Sequence, residues 1–197
     1  MKEIKHIPQD SVIMSGIRSK LIGITGCTNG GKTTLAKKLL TEFPNSYYLS
    51  QDDFYHKRDE LHYDFLPEVN SYNFDVITAI DLKKFHRELT RLIKLSKYEF
   101  IFIDGILLFE DEKLYKMLDK KYFLDLNKEE CYRRRQTRQY LLPEQPNYFE
   151  MCAWKEFLKY KQKCESTCRN VNYIDGANDP MYILKYVVND IHSVKSG

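Results

Sequence analysis

The sequence predicts a three-layer α/β domain built on a five-stranded parallel sheet. Three observations carry that expectation. Five short runs are apolar nearly throughout, as strands buried on both faces must be. Longer segments between them carry apolar residues at helical spacing. The first run ends in a glycine-rich turn that opens directly into such a helical segment.

Taken in order, Leu21–Thr25 is the first strand and Lys32–Phe43 the first helix, with Leu35, Ala36, Leu39 and Leu40 on one face. Tyr47–Ser50 is the second strand. Asp81 can cap a helix that carries Leu82, Phe85, Leu89 and Leu92/Ile93. Phe100–Ile103 and Tyr122–Leu126 are the third and fourth strands. Asn127 then caps a helix, and Glu130 three residues on completes a capping-box pattern. Pro143 and Pro146 interrupt the chain before a long helix from about Phe149 to Cys168. Val171–Ile174 is the fifth strand. Asp179-Pro180 supplies the N-cap and first residue of a last helix that stacks Ile183, Val187 and Ile191.

A chain of 197 residues, 43% hydrophobic and 30% charged, suits one soluble domain rather than two. No run approaches the eighteen apolar residues of a membrane span, so no membrane partner is expected. Residues 1–19 hold only the short cluster Val12-Ile13-Met14 and read as a loosely ordered extension, leaving 20–197 as the domain. A net charge of +3 gives no reason to expect nucleic acid. Five cysteines without a regular framework point to a reducing cytoplasm. Cys164 and Cys168 lie one helical turn apart, but no second pair completes a metal site.

The turn after the first strand, Gly26-Cys27-Thr28-Asn29-Gly30-Gly31-Lys32-Thr33, fits G-x-x-x-x-G-K-[ST] in its required strand-to-helix context. Glycines there let successive N–H groups point inward around a phosphate. Lys32 reaches the terminal phosphates, and the Thr33 hydroxyl is a ligand for Mg²⁺. The expected ATP-binding residues are therefore Gly26, Thr28, Asn29, Gly30, Gly31, Lys32, Thr33 and Thr34.

Among proteins with such a loop, GTPases need N-K-x-D and D-x-x-G. The nearest approach is Asn127-Lys128-Glu129-Glu130, which has the wrong acid. Motor-type ATPases follow the acid of the third strand with a water-activating glutamate, whereas Asp104 is followed by Gly105. A kinase, which must exclude water, fits better. It needs a carboxylate to take the acceptor's proton. Asp52, at the carboxyl edge of the second strand, is the candidate, with Asp53 beside it on the acceptor side. In Arg133-Arg134-Arg135-Gln136-Thr137-Arg138, Arg134 and Arg138 lie four apart and can grip one phosphoryl group together. Arg135 points about a third of a turn away, toward a different ligand. An arginine-rich helical lid over about residues 133–150 is expected.

These residues resemble the nicotinamide riboside kinases from Lys20 to about Val194, through GCTNGGKTTLAKKL, LSQDDF, FDVITAI, DGILLF, YFLDL and CYRRRQTRQYLLPEQPNYF. The resemblance implies a P-loop nucleoside-kinase fold and transfer of phosphate from ATP·Mg²⁺ to the 5′-hydroxyl of nicotinamide riboside. Nicotinic acid riboside is a second implied substrate, and salvage of NAD the implied context. It also implies Asp52 as catalytic aspartate, Asp75 and Arg135 on the ribose hydroxyls, Arg134 and Arg138 as lid arginines, and Tyr140 as one of two aromatics sandwiching the nicotinamide. Two positions depart from the family: the second aromatic is Phe74 rather than tyrosine, and the acid after the third strand, which would serve Mg²⁺, is Asp104 rather than glutamate. Tyr55–Asn73 also departs. Small-molecule substrates and a monomer are expected. Uridine and cytidine kinases share Tyr72-Asn73-Phe74-Asp75 and Ser50-Gln51-Asp52, but their R-D-x-x-x-R-G-R lid is absent here. A P-loop module that binds nucleotide without turnover is the non-enzymatic alternative.

Overall fold

The computed structural model describes residues 18–57, 62–138 and 145–193. The expected N-terminal extension lies outside the described residues as far as position 17, and so do Tyr140 and the middle of the expected lid.

From the amino end, β1 (Lys20–Gly26) leads through the glycine turn into α1 (Lys32–Glu42), and β2 (Ser46–Ser50) follows. A small hairpin, β3 (Phe65–Leu66) and β4 (Ser71–Tyr72), comes next. After it run α2 (Leu82–Leu95), β5 (Phe100–Asp104), α3 (Glu112–Met117), β6 (Lys120–Asp125) and α4 (Lys128–Thr137). A π-helical turn over Phe149–Ala153 feeds α5 (Trp154–Thr167), and β7 (Asn172–Asp175) and α6 (Pro180–Ser193) close the chain. Five strands form one sheet in the order β2-β5-β1-β6-β7, and every pairing in it is parallel.

Side chains alternate across the sheet, and the two sets build two cores. Leu21, Ile101, Ile103 and Phe123 face α2 and α5, through Phe85, Leu89, Phe157 and Tyr160. Ile22, Ile24, Phe102 and Leu124 face α1 and α6, through Leu35, Leu39, Ile183 and Val187. Each such side chain contributes about 1.5–3 kcal/mol by leaving water. This is the predicted three-layer arrangement.

The expected caps form at Asp81, whose carboxylate accepts from Lys84 N, and at Asn127, whose side chain accepts from Glu130 N at 2.8 Å. Asp179 likewise accepts from Met181 N and Tyr182 N. The capping box at Asn127 is corrected to half a box. Rather than turning back to the cap, the Glu130 carboxylate takes Arg133 Nε and Nη2, each at 2.7 Å, and Arg134 Nε at 2.6 Å. Two charged guanidiniums at i+3 and i+4 outcompete one neutral amide for it.

Because β1 lies between β5 and β6, its carboxyl end sits where successive connections diverge to opposite sides of the sheet. That is where open α/β folds collect their functional loops.

Candidate active site

The loop from Gly26 to Gly31 curls because its backbone enters the left-handed region at φ 120° for Gly26, 58° for Asn29 and 92° for Gly31. At Gly26 no other residue fits, since a Cβ there would meet the Leu124 carbonyl oxygen at 2.1 Å. Cys27 N donates to that same oxygen, which fastens the loop to β6. The loop then ends on the amino terminus of α1.

Lys32 is only 8% exposed, and its Nζ donates to the Cys27 carbonyl at 2.6 Å. Burial lowers its pKa, against the charges of Asp52 and Asp104, which favour the ammonium. Beside it, Thr33 Oγ1 donates to Asp104 Oδ2 at 2.5 Å, and the Tyr48 hydroxyl donates to Asp104 Oδ1 at 2.8 Å. Burial pushes the Tyr48 phenol up to about 12, so it stays a donor. Thr33 and Asp104 thus bring a hydroxyl and a carboxylate oxygen together. Such hard oxygen donors suit Mg²⁺, which takes one or two protein ligands and fills its shell from phosphate and water. Among the described residues no group of three or more His, Cys, Asp or Glu could hold an ion unaided.

Asp52 lies on the 3₁₀ turn that follows β2 and lines the cleft above Lys32. Desolvation by the surrounding protein raises its pKa, against the opposing pull of Lys32. Asp53, its expected companion, is exposed like Asp52 but lines neither of the clefts described below. The preceding residue, Gln51, drew no role from the sequence beyond its place in the Ser50-Gln51-Asp52 run. It is fully buried, its side-chain oxygen accepts from Leu107 N at 3.2 Å, and it lies against Gly105. A Cβ at position 105 would meet that oxygen at 2.4 Å, so the site of an ATPase glutamate is filled by Gln51.

Two clefts meet here. The larger, of about 620 Å³, runs from Lys32, Thr33 and Asp104 past Asp52 and Asp75 to Phe74 and the β3–β4 hairpin. The smaller, of about 380 Å³, is lined by Asn29, Gly31, Lys32, Thr33, Thr34, Arg134 and Arg138. Lys32, Thr33 and Arg138 border both. The helical spacing on α4 is reflected in where its arginines lead. Arg134 and Arg138 reach Asn29, at 3.4 Å to its carbonyl and 3.1 Å to its side-chain oxygen. Arg135 instead donates to Thr28 Oγ1 at 3.0 Å, lies over the Phe149 ring and lines only the larger cleft.

Asp75 is held by a residue the sequence did not single out. The Tyr148 hydroxyl donates to Asp75 Oδ2 at 2.8 Å and accepts from Phe74 N at 3.0 Å. Phe74 packs partly on the core and partly lines the cleft. Tyr55, another cleft residue missed from sequence, is half-buried, and desolvation beside Asp75 and Asp52 raises its pKa. No pattern marks these residues, because folding brings them together from distant parts of the chain.

A parallel sheet with a phosphate loop at its central strand, two clefts meeting over the loop lysine, and arginines on a neighbouring helix define a P-loop kinase. Residues 22–155 match a family model described as an AAA domain. The chain is 32% identical over 188 residues to nicotinamide riboside kinase 1 of Homo sapiens, covering 89% of this chain and 93% of that protein. A uridine kinase from Borrelia turicatae is 30% identical over 128 residues, 54% of this chain and 60% of that one. In fold, the chain is similar to thymidylate kinase from Candida albicans, with a TM-score of 0.58 at 17% identity, over 90% of this chain and 93% of that one. The chain belongs to the nicotinamide riboside kinase family.

Proposed function

We propose that the protein transfers the γ-phosphoryl group of ATP to the 5′-hydroxyl of nicotinamide riboside, giving the mononucleotide in NAD salvage, with nicotinic acid riboside as a second acceptor. The observation that carries this reading is the junction of the two clefts at Lys32, Thr33 and Arg138, with Asp52 on the larger side of it.

On this reading the smaller cleft takes the triphosphate. Loop N–H groups and Lys32 hold its β- and γ-phosphates, and Arg134 and Arg138 bear on the group in transit. The larger cleft takes the riboside, with Asp75 and Arg135 on the ribose hydroxyls. Asp52 accepts the proton of the 5′-hydroxyl as that oxygen bonds to the γ-phosphorus and the bond to the β,γ-bridging oxygen breaks. A carboxylate with a raised pKa is a stronger base than an ordinary one, which suits the role. Thr33 and Asp104 would hold Mg²⁺, whose chemistry is to neutralise charge between the β- and γ-phosphates. Gln51 and Gly105 leave no carboxylate where an ATPase would activate water. The five free cysteines suit a reducing cytoplasm. No helix among the described residues is long and apolar enough to cross a membrane.

A coupled assay at saturating Mg·ATP, run across nicotinamide riboside, nicotinic acid riboside, uridine and cytidine, tests the reading. The expected outcome is the largest kcat/KM for nicotinamide riboside. A preference for uridine overturns it.

A further inference from the structure

The segment Tyr55–Asn73, which departs from the family pattern, also furnishes the far wall of the larger cleft. β3 and β4 pair Phe65 with Tyr72 and Leu66 with Ser71. The turn between them is anchored by Val69, which is buried, while Leu66 packs on the core. Phe65 and Tyr72 project the other way. They are 50% and 40% exposed, and both line the cleft. Their rings meet edge-on at 5.4 Å, and Tyr72 in turn meets Phe74 at 6.5 Å. An isolated exposed aromatic needs no explanation. Two that are paired across strands and continuous with Phe74 give the cleft an aromatic end, opposite the charged end at Lys32 and Asp104. Asn70, in the turn, lines the same cleft and brings an amide to it.

We propose that the Phe65–Tyr72 pair is a shelf for the planar ring of the phosphoryl acceptor, and that this hairpin sets which ring the enzyme accepts. The proposal rests on the reading of the larger cleft as the acceptor site. The class of ligand follows from the chemistry. A flat heteroaromatic ring presents its face to the aromatic wall, and a cationic ring gains further from the negative π-faces. An amide or carboxyl substituent on it finds the Asn70 amide along the same cleft. The hairpin is therefore a specificity determinant rather than part of the phosphoryl-transfer machinery.

The experiment uses the full chain with Tyr72→Ser, Phe65→Ser and the conservative Tyr72→Phe. Steady-state kinetics are measured with whichever nucleoside the wild-type enzyme prefers, and folding is checked by thermal melting. Loss of the ring should raise KM for that acceptor about three- to tenfold, leave KM for ATP unmoved, and be rescued in Tyr72→Phe. An acceptor KM within twofold of wild type in both serine variants, with folding intact, overturns the shelf. The two failures are distinct. A wild-type preference for uridine sinks the nicotinamide reading alone, because the shelf is then judged on the KM for uridine. Should a serine variant fail to fold, Tyr72→Leu, which keeps apolar bulk without an aromatic face, is measured in its place and judged by the same KM criterion.

Discussion

The hydroxyl of Tyr148 donates to Asp75 Oδ2 at 2.8 Å across 73 positions of sequence. It thereby ties the chain beyond the arginine helix to the acid on the wall of the larger cleft. The same hydroxyl accepts from Phe74 N, so one phenol fixes two neighbouring residues of the cleft. Burial and the adjacent Asp75 charge push its pKa up, which keeps it protonated and donating at any working pH.

Tyr148→Phe should therefore loosen the acceptor site without touching the triphosphate site. A hydrogen bond to a charged group contributes about 1.5–3 kcal/mol, and part of that is recovered when water enters the cleft. Acceptor KM is expected to rise about three- to thirtyfold, with KM for ATP unchanged. Equal losses in both KM values would mean that Tyr148 serves the fold rather than Asp75.

Asp52→Asn should cost activity and gain stability at once. Removing a positioned base lowers kcat roughly 10²–10⁴-fold. The folded pKa of Asp52 is raised, so between the ordinary carboxylate value and that raised value the folded protein binds more protons than the unfolded one. Stability is then lost as pH rises through this window, and at pH 7 the ionised Asp52 carries a cost that its solvent-open side chain keeps small. Asparagine removes that cost. Thermal melting at pH 7 should show a higher Tm for the variant, and a lower one would mean that the carboxylate supports the fold. In the wild type, kcat/KM should fall on the acid side at a pH above the usual carboxylate range, and that limb should vanish in the variant.

If Arg134 and Arg138 bear on one phosphoryl group, their losses are not independent. Each single alanine variant should lower kcat, and the double variant should lose less than the product of the two factors. Arg135→Ala, facing the other cleft, should raise acceptor KM instead. Three variants that all raise acceptor KM alike would reduce the helix to a general positive patch.

What the sequence made legible was whatever local chemistry dictates. The inner strands β1, β5 and β6 read clearly because they are largely buried on both faces, the edge strands β2 and β7 only through their short apolar runs. Caps read clearly because Asp81, Asn127 and Asp179 satisfy donors within three residues. The phosphate loop was legible because its left-handed turns select glycine at positions 26 and 31 and leave the G-x-x-x-x-G-K-T spacing in the sequence. Missing from that reading were the hairpin, whose two-residue strands are too short to alternate, and α3, a single helical segment of six residues. The π-turn over Phe149–Ala153 was hidden because its residues read as ordinary helix. Tyr148, Tyr55 and Gln51 escaped for another reason. Their partners lie far away in the chain, and only the folded sheet brings them together. Phe74 and Asp75 came from family resemblance, and the ring expected opposite Phe74, Tyr140, lies outside the described residues.

Asp104 offers the most direct test of the metal assignment, because it stands where the family carries a longer acid. Its carboxylate is buried and accepts from Thr33 at one oxygen and Tyr48 at the other, so the shorter side chain already fills its position. Asp104→Asn keeps the shape but removes the negative charge and leaves one acceptor oxygen for two hydroxyl donors. If Thr33 and Asp104 together hold Mg²⁺, the Mg²⁺ concentration for half-maximal activity should rise roughly 10–100-fold. Thr33→Ala should move the same midpoint in the same direction, and the double variant should add little to it, since both act on one ion. Asp104→Glu is the instructive control. It restores the family's acid but presses an extra methylene against Thr33 and Tyr48, so it should retain the charge-dependent Mg²⁺ midpoint while lowering Tm. Midpoints that stay at the wild-type value in both Asp104→Asn and Thr33→Ala would remove this pair from the metal site.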